Sequence, residues 1–121
     1  MHRLSDKEWA VMEVLWETGG AELGILVDKL YDETGWNRNT VLTYLTRMEG
    51  KGLVSIDKTL MPHLYRAALE REVCRAQERK SFLQRVYQGS AGELVTAFLK
   101  EEPLSAPERD KLRRLLDEME V

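Results

Sequence analysis

Close to residue 50 the spacing of apolar side chains changes. Before it, Val41, Tyr44, Leu45 and Met48 recur at helical intervals; after it, Val54 and Ile56 alternate with Ser55 and Asp57. One pattern buries a helix stripe and the other a strand face, and neither serves the other structure. "LVSID" and, beyond Pro62, "HLYRAAL" therefore read as the two arms of a hairpin. The connecting "KTLMP" carries no Asn-Gly signal, so the turn type is left open.

Two further helical stretches precede the switch. Ser5 and Glu8 make an S-x-x-E capping box, flanked by Leu4 and Trp9 and followed by Val11, Met12, Leu15 and Trp16. "TGG" at Thr18–Gly20 stops that helix. A second helix is expected from about Glu22 to Glu33, with Leu23, Leu26, Val27, Leu30 and Tyr31 on its apolar stripe and Gly35 at its end. Asn37 is the natural N-cap of the third helix and Gly52 its C′ residue. From about Glu70 the chain turns helical again. Capping boxes are expected at Ser90/Glu93 and Ser105/Glu108. The expected fold is mainly α: a winged helix-turn-helix domain over residues 1–69, then a three-helix dimerisation region over 70–121.

In a winged helix-turn-helix the third helix fits the DNA major groove. Its outward positions here are Arg38, Asn39, Leu42, Thr43, Thr46 and Arg47. Arginine pairs with guanine, asparagine with adenine, and threonine with phosphate or a thymine methyl. The helix N-terminus itself suits a phosphate. Lys51, just after the helix, is a further DNA-binding candidate, and Lys58, His63 and Arg66 on the hairpin are placed for flanking backbone. Charge agrees with this. The net charge is −3, yet residues 34–69 hold five basic and two acidic side chains, against three and eight over residues 1–33.

The same numbers exclude other classes. Two histidines (His2 and His63), one cysteine, no P-loop and no Gly-rich nucleotide fingerprint leave nothing to join a nucleophile to a base, so no enzyme, cofactor or metal site is expected. A lone Cys74 cannot form an internal disulfide, and no apolar run suggests a signal peptide or membrane span, so a cytoplasmic protein is expected. Two rival readings use the same residues. One is a winged helix that binds only another protein. The other is a small-molecule pocket lined by Trp9, Trp16 and Trp36, which read more simply as core.

The order "LSDKEWAVMEVLW", then "WNRNTVLTYLTRMEGKGLV", then "YRAAL" resembles the penicillinase-repressor family of bacterial transcriptional repressors. Leu4, Ser5, Glu8, Trp9, Val11, Met12, Leu15 and Trp16 match its first-helix pattern. Trp36, Thr40, Val41, Thr43, Leu45, Arg47, Lys51 and Gly52 match its recognition-helix pattern, and "ELVTAFLKEEPLSAPERDKLRRLLDEM" is similar to its C-terminal region. The resemblance implies a homodimer on a palindromic operator, controlling β-lactam resistance or a related response, with Thr40, Thr43 and Arg47 at the DNA and Asn37 in place of the usual Ser or Thr. Leu42 stands where relatives often carry a polar or basic side chain, and Leu60 and Met61 make a less polar wing tip. A regulatory protease is a further implied partner, since some relatives are cut near the position of Ala97–Phe98; this chain has Ala where those relatives have Asn. Copper-responsive members carry a Cys-x-Cys cluster that a chain with only Cys74 lacks.

The last 52 residues are expected to form helices too short to bury their own stripes, which would either pack back onto the N-terminal domain or, the favoured reading, meet a second copy. Leu83, Val86, Tyr87, Leu94, Val95, Phe98, Leu99, Leu112, Leu115, Leu116 and Met119 are the candidate seam of a two-fold dimer.

Overall fold

The computed structural model describes residues 3–119, so His2 lies outside the described residues. Nine elements follow in chain order: α1 (Asp6–Thr18), β1 (Ala21–Glu22), α2 (Leu23–Thr34), α3 (Arg38–Gly50), β2 (Val54–Asp57), β3 (Leu64–Ala67), α4 (Arg71–Tyr87), α5 (Ala91–Glu101) and α6 (Ala106–Glu118). The described residues are thus mainly helical with a small sheet, and the first six elements follow the winged-helix order.

Local chemistry sets the helix boundaries. The Ser5 hydroxyl accepts the Glu8 N–H (3.2 Å), and the Glu8 carboxylate accepts the Ser5 N–H (2.9 Å), which closes the expected capping box. Asn37 caps α3 by accepting the Thr40 N–H at 2.9 Å. The end of α3 is a Schellman motif. The Leu53 N–H donates to the Met48 carbonyl (2.9 Å) and the Gly52 N–H to that of Glu49 (3.0 Å), with Gly52 at φ 77° where a side chain would be strained.

All three strands pair antiparallel in the order β1-β3-β2, with Ile56 opposite Tyr65 and Val54 opposite Ala67. Strand β1 was not expected. Its two residues pair with β3, Ala21 opposite Tyr65 and Glu22 opposite Leu64. Gly20 makes this approach possible, because its φ is 123° and a Cβ there would come within 2.8 Å of the Arg66 Cγ. One core lies between the helices and the sheet. Val11 and Met12 of α1, Leu26 and Leu30 of α2, and Val41, Leu45 and Met48 of α3 have no exposed surface.

The chain divides into two compact units after Lys80, not after residue 69 as the change of periodicity suggested. The first half of α4 packs with the N-terminal unit. Cys74 is in the core, and the Trp16 indole N–H donates to the Leu69 carbonyl at 2.9 Å. Arg71 pairs with Glu13 (3.0 Å) while lying over the Trp16 ring.

From Ser81 the second unit comprises the end of α4, α5 and α6. Ser105 and Glu108 close a full capping box. The box expected at Ser90/Glu93 is only half formed. The Ser90 hydroxyl accepts the Glu93 N–H, but the Ser90 N–H donates to the Tyr87 carbonyl (2.9 Å) and is not available to the Glu93 carboxylate. No residue of α5 or α6 is buried. No helix among the described residues is long and apolar enough to cross a membrane.

Candidate nucleic-acid interface

Helix α3 divides cleanly. Val41, Leu45 and Met48 anchor it in the core, Thr40 and Tyr44 are half-buried at its edges, and Arg38, Asn39, Leu42, Thr43, Thr46 and Arg47 are exposed. All six outward positions expected from the helical period are therefore on one accessible surface. Their chemistry is partly spoken for. The Thr43 hydroxyl donates to the Asn39 carbonyl at 2.9 Å, which leaves its oxygen to accept and its methyl to pack. The Asn37 side-chain oxygen is occupied by the cap. Leu42 places an apolar group in the middle of this polar row.

The two arginines bracket the row. Arg38 opens α3 near the sheet: burial pushes the Tyr65 phenol above its ordinary pKa, and the Arg38 charge pulls it back. Arg47 lies over the Tyr44 ring, its guanidinium carbon 5.6 Å from the centroid. Among the described residues no carboxylate is in ion-pair range of either arginine, so both keep their charge for a partner.

Lys51 differs from its neighbours. Its ammonium donates to the Glu8 carboxylate at 2.9 Å, and Glu8 is the buried charged residue of the N-terminal unit. Lys51 thereby ties the end of α3 to the start of α1. The capping box marked Glu8 in the sequence, but a box says nothing about a lysine 43 positions later.

On the wing, Lys58 and Arg66 are exposed and His63 is half-buried. Lys58 is 3.8 Å from Glu49, an exposed pair of small energetic weight. The turn is held by Asp57, whose carboxylate accepts both the N–H and the hydroxyl of Thr59; these bonds hold its pKa below the usual range. Leu60 and Met61 project at the tip, Met61 85% exposed.

The remaining candidates resolve into packing. Trp9 and Trp16 meet edge to face at 5.7 Å, Trp36 stacks on Tyr44, and all three indoles pack against the core. An open groove of about 550 Å³ runs between Arg3–Asp6 and the Tyr44, Arg47 and Lys51 side of α3. No cluster of three His, Cys, Asp or Glu side chains suited to a metal is found among the described residues. Cys74 is buried, and desolvation raises its thiol pKa. Since the thiolate is the reactive form, Cys74 is expected to react with a disulfide reagent at neutral pH at least about ten times more slowly than a free thiol, and at the free rate once unfolded. Equal rates in native and unfolded protein would refute the burial.

The profile described as "Penicillinase repressor" matches residues 4–118. The chain belongs to the penicillinase repressor family. The methicillin resistance regulatory protein MecI of Staphylococcus aureus is 28% identical over 116 residues, covering 96% of this chain and 94% of that protein. The penicillinase repressor of Bacillus licheniformis is also 28% identical over 116 residues, covering 96% and 91%. Among solved structures, the PcaV transcriptional regulator of Streptomyces coelicolor covers 98% of this chain and 79% of its own, at 20% identity and a TM-score of 0.45. The motif positions of the penicillinase repressor family now separate by physical role. Leu4, Glu8, Val11, Met12, Leu15, Val41 and Leu45 are buried, whereas Thr43 and Arg47 face outward.

Proposed function

We propose that this protein is a homodimeric transcriptional repressor. In this reading each subunit sets α3 into the major groove of one half of a palindromic DNA operator. The observation that carries it is the exposed row Arg38, Asn39, Leu42, Thr43, Thr46 and Arg47, held rigid by three side chains with no exposed surface on the other side of the same helix. A groove-reading helix needs both properties, because base-edge hydrogen bonds tolerate little displacement. Asn37 and Thr40 lie at the helix start, and Lys58, His63 and Arg66 extend the contact to flanking backbone. Lys51 contributes through the fold, by way of Glu8. Relatives named for methicillin resistance and penicillinase point to β-lactam resistance or a related response as the regulated process.

Dimerisation would run through the second unit. Leu83, Tyr87, Leu94 and Leu112 are only half-buried there, and Val86, Val95, Phe98, Leu99, Leu115, Leu116 and Met119 are exposed. Such a run of apolar surface is unusual on a monomer. A regulatory protease is the second proposed partner. The Ala97–Phe98 bond lies inside α5, so cleavage there requires that helix to unwind locally.

The test is selection of duplexes from a random library by the intact protein, followed by titration of the winning duplex. Arg47→Ala is expected to lose about 1–3 kcal/mol of binding per half-site, with the melting temperature unchanged. An Arg47→Ala variant that binds like the parent, or a parent that enriches no sequence, would remove the DNA reading of α3.

A further inference from the structure

Arg47 is the end of a relay that begins in the core. The Leu30 side chain has no exposed surface, and its carbonyl accepts the Thr34 hydroxyl at 2.8 Å. The Thr34 oxygen in turn accepts the Trp36 N–H at 3.2 Å. The Trp36 indole packs against the core and stacks on the Tyr44 ring, with centroids 4.2 Å apart and planes 21° from parallel. Tyr44, three residues before Arg47 on α3, has the Arg47 guanidinium 5.6 Å from its centroid. Residues at this spacing are neighbours on a helix surface.

The geometry points to Tyr44 as the positioning residue for Arg47, with Trp36 fixing the plane of the tyrosine ring. This deepens the reading of α3 as the DNA-contacting helix and rests on it. A free arginine side chain samples many rotamers, and ordering it on binding costs affinity. A planar guanidinium over an aromatic face is restrained before DNA arrives, while its N–H groups at the edge of the plane remain free to donate. Trp36 makes the restraint effective. An unsupported tyrosine would turn about its own side-chain bonds, whereas a stacked one is held in a fixed plane. The relay therefore converts core rigidity into the aim of one exposed cation.

The experiment is a double-mutant cycle on the library-selected duplex, with intact protein. Tyr44→Leu removes the ring and is expected to weaken binding about threefold per half-site, hence about tenfold for a dimer on both. Tyr44→Phe keeps the ring and is expected to bind like the parent. In an Arg47→Ala background, Tyr44→Leu is expected to cost nothing more. Equal losses in both backgrounds would show that Tyr44 acts independently of Arg47 and overturn the proposal. So would a loss in Tyr44→Phe, which would assign the contact to the hydroxyl. A measurement without substitutions stands beside these. The Arg47 δ-methylene protons of the free protein are expected to show an upfield ring-current shift, and random-coil shifts there would overturn the positioning. A parent protein that selects no duplex would instead count against the DNA reading, and the ring-current result would still decide the placement of Arg47.

Discussion

Replacing Lys51 with methionine is expected to destabilise the N-terminal unit by about 2–4 kcal/mol and lower its melting temperature by roughly 10–20 °C. The reason is the asymmetry of the pair. The Glu8 side chain is 5% exposed and the Lys51 side chain 33% exposed. Removing the lysine leaves a carboxylate in a poorly hydrated place with less to offset its desolvation, which is the costly way to break an ion pair. Methionine retains the length and apolar stem of lysine, so the loss is one of charge and not of packing. A second variant separates charge from cap. Glutamine at position 8 still accepts the Ser5 N–H, since the capping box takes Glu or Gln at that position. Glu8→Gln combined with Lys51→Met is therefore expected to melt above Lys51→Met alone. If Lys51→Met melts with the parent, or if neutralising Glu8 restores nothing, then the 2.9 Å contact does not hold α1 to α3. Loss of DNA binding by Lys51→Met would then need another cause.

The case of Lys51 shows where sequence reasoning stops. Interactions that close within four residues were legible. The boxes at Ser5/Glu8 and Ser105/Glu108 and the Asn37 cap form as the spacing predicts, because both partners lie on one helical turn. The outward row of α3 was legible for the same reason. Glu8–Lys51 was not, because it depends on how two helices meet. Strand β1 escaped because two residues carry no period; only its pairing with Leu64 and Tyr65 makes it a strand. At Ser90 the sequence pattern was satisfied, yet a competing carbonyl, that of Tyr87, captured the N–H that the box required. The unit boundary moved for a related reason. The helical period begins again near residue 70, but Arg71 and Cys74 pack on the residues before them, so the covalent pattern changes earlier than the packing does. The Tyr44–Arg47 half of the relay had a visible trace, an aromatic and an arginine one turn apart on α3, but Trp36 precedes the helix and only the ring planes reveal that it stacks on Tyr44.

The second large effect concerns assembly. On the proposed dimer, Phe98→Glu is expected to give a monomer at about 10 μM and to weaken operator binding by 10²–10⁴-fold, the range set by tethering two half-site contacts to one another. Phe98 is 55% exposed on α5, flanked by Val95 and Leu99 on the same helix. On α6, Leu115 and Leu116 are at least half exposed. A helix with an apolar stripe gains most of its stability from packing that stripe, and α5 and α6 bury no residue within the single chain. A second copy offers the same stripe, and a two-fold contact pairs each surface with itself. Glutamate in such a contact sets a carboxylate from each copy against apolar surface, which opposes association more strongly than loss of the ring alone. The N-terminal unit should be unaffected, because the substitution lies beyond Lys80 and its core residues all precede it. Sedimentation equilibrium on parent and variant, together with the melting of each, tests the two halves of this expectation separately. A parent that sediments as a monomer at that concentration excludes the dimer outright. A variant that remains dimeric with its affinity intact moves the seam away from α5. A variant that becomes monomeric yet binds the operator as tightly as the parent would mean that one copy of α3 suffices, and the palindrome would no longer be required.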